Sequence, residues 1–356
     1  MNTQSSSQLH IRAVHPDDIP ALHELLTHPA IIRWTELDPT REYQQTVDEF
    51  QTAKNGVHRL VGLRDGRVVA YGRLHHLVRP RLQHIALPTF YVHPDVWGQG
   101  IGRRLFAALL DLADNWLHTW RLELPLMPDN AAARHMAEAA GFEVEGMMRQ
   151  AVFGNGRFHD HMLYTRLRPP SAAQNHPTTP PPTPPVHIVD ASQVLIRPAH
   201  PEDAGDVNAM WRSPLVARTT LQLPSQEIWH ARSRVGEAPP PGGHRLAAED
   251  NGRVIGLITI FQRQNPRLMH VGDLGMMVHP DYWGLGIGSR LMTAILDIAD
   301  NWLDLKRVEL EVNTDNPAAV GLYQKFGFEI EGTKRFHAFG DGRWADSHFM
   351  ARLKES

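Results

Sequence analysis

Two stretches of alternating glycine carry the first chemical signal in the chain. Val278-His279-Pro280-Asp281-Tyr282-Trp283-Gly284-Leu285-Gly286-Ile287-Gly288-Ser289-Arg290-Leu291 restates Val92-His93-Pro94-Asp95-Val96-Trp97-Gly98-Gln99-Gly100-Ile101-Gly102-Arg103-Arg104-Leu105, agreeing at 11 of 14 positions at a constant offset of 186. With no Cβ at alternate positions, the backbone can curl so that successive N–H groups point into one concavity. The helix expected to start at Ile287, or at Ile101, adds the positive end of its dipole. Such a place holds a phosphate or pyrophosphate. Its repetition with the same flanks separates it from a chance tight turn.

The elements that position this turn also occur twice. His10 to Asp18 matches Leu195 to Asp203, each a strand running into a helix with acidic residues in its first turn. Hairpins follow, one turning at Asp65-Gly66 and one at Asn251-Gly252. A further strand enters each glycine turn. The helix after it carries an apolar stripe, Ile287, Leu291, Ile295, Ile298 and Trp302, matched by Ile101, Leu105, Leu109, Leu112 and Trp116, which is expected to be core. A strand through Val308, Leu310 and Val312, a second helix and a closing hairpin complete each copy. Those hairpins turn at Gly154-Asn155-Gly156 and Gly340-Asp341-Gly342. The strand–turn–helix–strand order implies a right-handed crossover joining two parallel neighbours.

A chain of 356 residues is long enough for two such domains. The expected division is 1–168, a linker at 169–187, and 188–356. Pro169 to Pro185 holds eight prolines in 17 residues and should be extended, with a reach of about 50 Å at ~3.1 Å per residue. Charge is balanced, 36 basic against 39 acidic residues for a net −3, so no nucleic-acid or anionic-membrane partner is indicated. With no cysteine, disulfides, thiolate metal sites and a cysteinyl acyl-enzyme are excluded. No apolar run approaches a membrane span and the N-terminus carries no signal pattern, so a cytoplasmic protein is expected. Of the 22 histidines, His159 with His161 and the adjacent His75 and His76 bring no third ligand, and no metal is expected.

Together these features resemble the GNAT superfamily of acetyl-CoA-dependent N-acetyltransferases, over nearly all of both copies. The block Asn313-Thr314-Asp315-Asn316-Pro317 through Tyr323, Gly327 and Glu331-Gly332-Thr333 is similar to the YhhY-type branch, bacterial enzymes that acetylate amino acids and related small amines. The resemblance implies an α/β (α+β) fold of two GNAT-like domains. Each would have a mixed, mostly antiparallel twisted sheet with a central parallel pair and flanking helices. It implies that the main chain of Trp283, Gly284, Leu285, Gly286, Ile287, Gly288 and Ser289 grips the coenzyme pyrophosphate, as do Gly98, Gln99, Gly100, Gly102 and Arg103 in the first copy. The family often has Gln or Arg where both copies have Trp. Asn316, and Asn130 with it, would contact the coenzyme. Among Met276, Met277 and Val278, an amide of Met276 or Met277 would bond the thioester carbonyl, and Tyr323 would approach the sulfur.

Transfer to an amine requires a neutral nucleophile, since an alkylammonium with a pKa near 10.4 has no lone pair to offer. Asp273, where the family commonly keeps a carboxylate, is the expected base. Tyr323 is the expected acid to the departing thiolate, worth on the order of 10² in rate because a thiol of pKa about 8.5 already leaves tolerably. Holding amine and thioester together would supply most of the rest. The first copy departs at these places: Leu87 stands for Asp273, Ala137 for Tyr323 and Met127 for Asn313, and Pro88 falls inside the strand. It is expected to bind coenzyme or serve structurally, with little or no turnover. Thr220, Leu221 and Gln222 fall where the family's substrate loop follows the first helix, against a more acidic Trp34-Thr35-Glu36-Leu37-Asp38-Pro39.

The expected function is therefore acetylation of the amino group of an amino acid or amino-acid-like small molecule, in detoxification or resistance. A protein N-terminal or lysine acetyltransferase is the alternative within enzymes. An acetyl-CoA-binding sensor or assembly module is the alternative outside them. The two copies are expected to pack as an internal pseudo-dimer, with further homo-oligomers open.

Overall fold

The computed structural model describes residues 9–52, 54–168, 193–235 and 241–354, and the proline-rich stretch read as a linker lies outside them. The chain divides into two compact units between Ala173 and Gln174. The N-terminal unit runs β1 (His10–Ala13), α1 (Ile19–Thr27), α2 (Pro29–Ile32), α3 (Tyr43–Gln51), β2 (Val57–Arg64), β3 (Arg67–His76), β4 (Ile85–Val92), α4 (Ile101–Asn115), β5 (Arg121–Leu126), α5 (Ala131–Ala139), β6 (Glu143–Gly154) and β7 (Arg157–Leu167). The C-terminal unit repeats the order as β8 (Leu195–Pro198), α6 (Ala204–Arg212), α7 (Pro214–Thr219), α8 (Ile228–Val235), β9 (Gly243–Asp250), β10 (Arg253–Gln262), β11 (Val271–Val278), α9 (Ile287–Asn301), β12 (Arg307–Asn313), α10 (Pro317–Lys325), β13 (Glu329–Gly340) and β14 (Arg343–Leu353).

Strand order is β1-β2-β3-β4-β5-β7-β6 in the first unit and β8-β9-β10-β11-β12-β14-β13 in the second. The pairs β4/β5 and β11/β12 are parallel, and the pairings around them are antiparallel. The hairpins close where expected: Asp65-Gly66, Asn251-Gly252, Asn155-Gly156 and Asp341-Gly342 all have positive φ at both residues, the backbone that matches the twist of the flanking strands. The acidic residues after the first strands do more than sit near a helix dipole. Asp18 and Asp203 are buried, each held by two guanidinium nitrogens, of Arg12 and Arg197, and by the N–H of His15 or His200.

Each face of the C-terminal sheet has its own core. Leu274 and Val278 of β11 and Val308, Leu310 and Val312 of β12 pack with Ile287, Leu291 and Ile295 of α9. Met277 and Leu257 face the other way, against Val207, Met210 and Trp211 of α6 and Ala231 and Val235 of α8. One expectation fails at the end of the long helices. Trp116 and Trp302, read as the last members of the core stripe, are 76% and 79% exposed. Both are C-cap residues, where the chain leaves the helical path and the 3.6-residue period no longer points a side chain inward.

Candidate active site

The strands β11 and β12 part inside the C-terminal unit. They pair only from Val271↔Arg307 to Asp273↔Glu309. Their outer edges stay paired to the end, β11 with β10 as far as Val278 and β12 with β14 as far as Asn313, so the inner edges open as a wedge. Strand alternation decides which amides face it. The carbonyl of Val271 accepts from Arg263 and the N–H of His279 donates to Ile255, both on the β10 side; the carbonyl of His270 accepts from Lys306 and Arg307 on the β12 side. The β10–β11 register runs without a bulge, so Gly272, Leu274, Met276 and Val278 turn their N–H and C=O toward β12. Of the two amides expected at the thioester carbonyl, Met276 faces the wedge and Met277 faces β10.

At the wide end of the wedge lies the glycine turn. Gly284 and Gly286 have φ of +78° and +81°, and a Cβ built on either would meet nothing within 4 Å. These two glycines are needed for backbone conformation, and the space before them is open. Gly286 is the N-cap of α9 and offers no side-chain cap, which leaves the first helical amides for a ligand. Gly288 acts differently: its Cβ would stand 3.0 Å from Leu322 and 3.5 Å from the Met276 side chain, so it lets α9 close on α10 and β11. Ile287 is buried, while Leu285 and Ser289 are half-buried. The tryptophan that departs from the family pattern braces the turn. Trp283 Nε1 donates to the carbonyl of Val278 at 2.7 Å, tying the turn to the strand end. Trp97 repeats this on Val92.

Tyr323 of α10 belongs to the core on the α9 side and is 6% exposed. Burial pushes its phenol up to about 12, and its hydroxyl has no hydrogen-bond partner among the described residues. Asn316 caps α10 through its oxygen, which accepts from Ala319 at 3.2 Å, leaving the amide nitrogen as the part able to reach a ligand.

Asp273 lies on the opposite face, the side covered by α6 and α8. Both its oxygens accept from Arg263 at 3.0 Å, and Arg263 also bonds Glu309. Burial and the neighbouring Glu309 push the Asp273 carboxyl above its ordinary range although Arg263 pulls it down. Burial works upward on Glu309 too, but Arg263 and Arg307 hold it low. Arg307, 1% exposed, continues the chain to Glu309 and, through two bonds, to Glu331. The carboxylate expected to take the substrate's proton is thus half of an ion pair, and protonating it would cost that pair. Thr220 bonds back to Val216 at the end of α7, and Leu221 and Gln222 follow, half-buried. This loop is fixed to β12 by Asn313, whose Nδ2 donates to the Arg218 carbonyl at 3.1 Å.

The N-terminal unit keeps the turn, with Gly98 and Gly100 at φ +75° and +76°, and Asn130 capping α5 on Ala133. Gly102 packs toward Val92 and Met136, the counterpart of Gly288, while Gln99 bonds Arg64 and Arg103 is exposed. Its wedge differs. The carbonyl of His84 faces β5 and the N–H of His93 faces β3, so Pro88 turns the place of its missing N–H toward the wedge. Pro88, awkward as it is inside a paired strand, therefore leaves the β3–β4 register intact, and the parallel ladder ends one pair sooner than in the second unit, at Ala86↔Leu122. Pro125 of β5 faces the wedge in the same way, since Arg121 donates to His84. Leu77 and Leu87 stand where Arg263 and Asp273 pair, and Ala137 where Tyr323 stands. The face that carries Asp273 in the second unit is filled here by aromatic rings: Tyr71 stacks on Tyr91 and meets Phe50 edge-on.

Sequence reasoning missed Arg263, the tryptophan ties and a buried polar chain through His337 and Ser347. Only the repeated Trp was a signal. Arg263 lies in a loop and His337 in a bulge, where no period points to a partner.

Both units match the family model described as "Acetyltransferase (GNAT) family", over residues 19–142 and 208–328. The chain is similar to the L-amino acid N-acetyltransferase AaaT of Escherichia coli (strain K12), 38% identical over 165 residues that cover 46% of this chain and 99% of that protein. It is also similar to the mycothiol acetyltransferase of Streptomyces coelicolor, 29% identical over 287 residues, 79% of each. Among solved structures, an acetyltransferase of the GNAT family from Streptococcus pneumoniae aligns at 32% identity and a TM-score of 0.42, covering 46% of this chain and 99% of that one.

Proposed function

Because the chain belongs to the acetyltransferase (GNAT) family, as a tandem N-acetyltransferase dependent on acetyl-CoA, we propose that its C-terminal unit transfers acetyl to the amino group of an amino acid or amino-acid-like small molecule. The observation that carries this reading is the wedge: the Met276 amide faces it, the open glycine turn follows the end of β11, and Tyr323, whose hydroxyl has no hydrogen-bond partner among the described residues, belongs to the core on the α9 side. The 38% identity to an L-amino acid acetyltransferase supports the acceptor class.

In this reading the diphosphate lies on the turn from Trp283 to Ser289, held by main-chain N–H groups and the α9 dipole. The Met276 N–H polarises the thioester carbonyl and strengthens its hold as negative charge grows on oxygen. The acceptor comes from the α6–α8 face, near Thr220, Leu221 and Gln222, so coenzyme and amine meet from opposite sides of the sheet. The amine lone pair attacks the carbonyl carbon, the C–S bond breaks, and the Tyr323 hydroxyl donates toward the sulfur. A phenol near 12 is protonated throughout the working range, as an acid must be. For the N-terminal unit we infer coenzyme binding or scaffolding without turnover, because the turn persists there while Tyr323 and Asp273 have become Ala137 and Leu87.

The test is release of free thiol from acetyl-CoA with L-amino acids, a polyamine and a short peptide as acceptors. Turnover with a free amino acid is expected. Turnover with the peptide alone would replace this reading by protein acetylation, and coenzyme binding with no turnover by the sensor.

A further inference from the structure

Three residues of the C-terminal sheet stand in one row on the acceptor face. Arg245 of β9 pairs with Thr259 of β10, and Thr259 with Gly275 of β11. Strand parity sets the face. Ala247, Leu257 and Met277, each two residues along the same strand, pack on the side of α6 and α8, whereas the adjoining Leu246, Ile258 and Leu274 belong to the α9 core. The row ends at the wedge, two residues past the last registered pair, Asp273↔Glu309. Gly275 is exposed, and a Cβ built on it would meet nothing within 4 Å. Open space therefore lies on the acceptor face directly beside the Met276 amide.

Arg245 is half-buried, and neither its guanidinium nor the Thr259 hydroxyl has a hydrogen-bond or ion-pair partner among the described residues. Two other arginines of this face are committed, Arg197 to Asp203 and Glu249, and Arg263 to Asp273 and Glu309. Helix α8, which packs on the same face, carries no acidic residue. Burial pulls the Arg245 guanidinium below its usual range and no neighbouring acid counters it, yet an arginine stays charged at neutral pH. A half-buried cation without an anion is costly and calls for one from outside. The N-terminal unit has the same row and has closed it. Arg59, Arg73 and Thr89 hold the three places in the same register. There Arg59 donates to the Glu49 carbonyl at 2.9 Å and lies 5.3 Å over the Phe50 ring, and Arg73 stands 3.9 Å from the Glu49 carboxylate. Across the wedge the loop of Thr220 is held in place by a buried chain. Ser347 Oγ donates to Asn313 Oδ1 at 3.2 Å and lies 3.0 Å from Nδ1 of His337, which sits in the bulge where the β13–β14 register jumps between Lys334 and Ala338.

We propose that Arg245 binds the α-carboxylate of an amino acid acceptor, with the Thr259 hydroxyl as a second donor and the α-amine lying over Gly275 at the wedge. This deepens the amine-acetylation reading above and rests on it. Two strand spacings, roughly 10 Å, separate β9 from β11, a span that an arginine stem and the carboxyl end of an amino acid cover together. The planar fork of a guanidinium matches a carboxylate through two parallel N–H bonds, which fixes the direction of the α-carbon as well as its charge. The amine is attached to that same carbon, so holding the carboxylate aims the nucleophile at the thioester carbonyl on the Met276 amide. Such a site selects α-amino acids against polyamines and peptide N-termini, in which the carbon beside the amine bears no carboxylate.

The experiment compares, in the full chain, kcat/KM for L-amino acids and for their α-carboxamides at saturating acetyl-CoA. Wild type should use the acid on the order of 10²-fold better than the amide. Arg245→Met should lower kcat/KM for the acid by about that factor, carried by KM, and bring the preference near unity, while the KM for acetyl-CoA stays as it was. Arg245→Lys, which keeps the charge and loses the fork, should retain roughly tenfold of the preference. Because the wild-type cation has no partner to lose, Arg245→Met should melt no lower than wild type, whereas a structural arginine would lower the midpoint. Gly275→Thr, copying Thr89, should fill the open space and raise the KM for the amino acid alone. A folded Arg245→Met that keeps the wild-type preference overturns the assignment and leaves the amine-acetylation reading standing. A wild type that acetylates only the polyamine or the peptide overturns both. An unchanged amino-acid KM in Gly275→Thr also counts against the site, and decides the matter if the arginine variant does not fold.

Discussion

The two units differ little where the backbone does the chemistry and much where side chains do. Gly98 and Gly100 repeat the left-handed conformation of Gly284 and Gly286, the tryptophan ties recur, and Asn130 caps its helix as Asn316 does. The buried arginines recur too: Arg121 bonds Glu123 and Glu145 as Arg307 bonds Glu309 and Glu331. What the first unit lacks are the phenol, the buried Asn313–Ser347–His337 chain, whose places are taken by Met127, His161 and Ala151, and two amides of the wedge, removed by Pro88 and Pro125. A scaffold built from main-chain groups survives side-chain change, whereas a proton route needs every member. On the proposed reading, this difference is what assigns turnover to the C-terminal unit.

The largest expected effect breaks the shared feature in each unit. Gly286→Asp puts a β-carbon on a left-handed residue, costing roughly 1–2 kcal/mol, and adds a negative charge facing the diphosphate. Acetyl transfer should fall by about 10³-fold if the two effects together reach ~4 kcal/mol. Gly100→Asp should remove at most one equivalent of bound coenzyme and leave turnover near wild type. Calorimetry with coenzyme A beside the thiol assay separates the two. Loss of turnover in a folded Gly100→Asp protein would move the active site to the other unit.

Next in size is the phenol. Tyr323→Phe should lower kcat about 100-fold with little change in the KM for acetyl-CoA, because it removes a proton donor and leaves the diphosphate grip intact. The reverse exchange, Ala137→Tyr, should give no activity, since Pro88, Pro125 and the rings of Tyr71 and Tyr91 remain. With the phenol near 12, an alkaline limb between pH 8 and 10 in the wild type belongs to another group.

Much of this comparison was legible before the fold was known. The glycine turns, hairpin dipeptides and helix starts are local, and alternation or a 3.6-residue period reports them directly. The losses of Tyr323 and Asp273 in the first copy could be read once the repeat was aligned. What could not be read is anything set by the parity of a strand. Whether Pro88 interrupts a ladder or borders a wedge depends on which neighbour its missing N–H faces, and composition does not say. Arg263 and His337 were hidden for a related reason, since a loop and a bulge place them beside partners that are distant in sequence. Trp116 and Trp302 show the converse error, a period extended one residue past the helix that justified it.

A middle-sized effect concerns Arg263 and Asp273, which become Leu77 and Leu87 together. Arg263→Leu alone should destabilise the C-terminal unit by about 2 kcal/mol, because two neighbouring carboxylates, Asp273 and Glu309, lose their shared cation. Adding Asp273→Leu should recover most of that, as the first unit's leucine pair suggests. Native-state hydrogen exchange of the β11 amides in the full chain reads this unit by itself. A double variant worse than the single would mean that Asp273 contributes something beyond the pair.

The smallest effect should be equal in the two units, which makes it a control on all the others. Burial pushes Asp18 and Asp203 upward, but the bonds from Arg12 and Arg197 and from the His15 and His200 amides more than offset it, and both carboxyls lie below their ordinary range. A carboxyl that is more acidic in the folded state binds fewer protons there than in the unfolded chain. Its contribution is therefore complete above the unfolded pKa of about 3.9 and is lost as pH falls through the depressed value. Asp18→Asn and Asp203→Asn should each remove about 1 kcal/mol at neutral pH, in the range of a lost helix-entry bond, and should each flatten the loss of stability below pH 4. The arginine, the backbone donor and the turn recur in both units, and the one added bond, from Arg197 to Glu249 at 2.6 Å, remains when Asp203 is replaced, so the two costs should agree within about 0.5 kcal/mol by hydrogen exchange. Unequal costs would mean that the shared scaffold is not equivalent, and the contrast at the wedge would then need to be separated from a difference in overall stability.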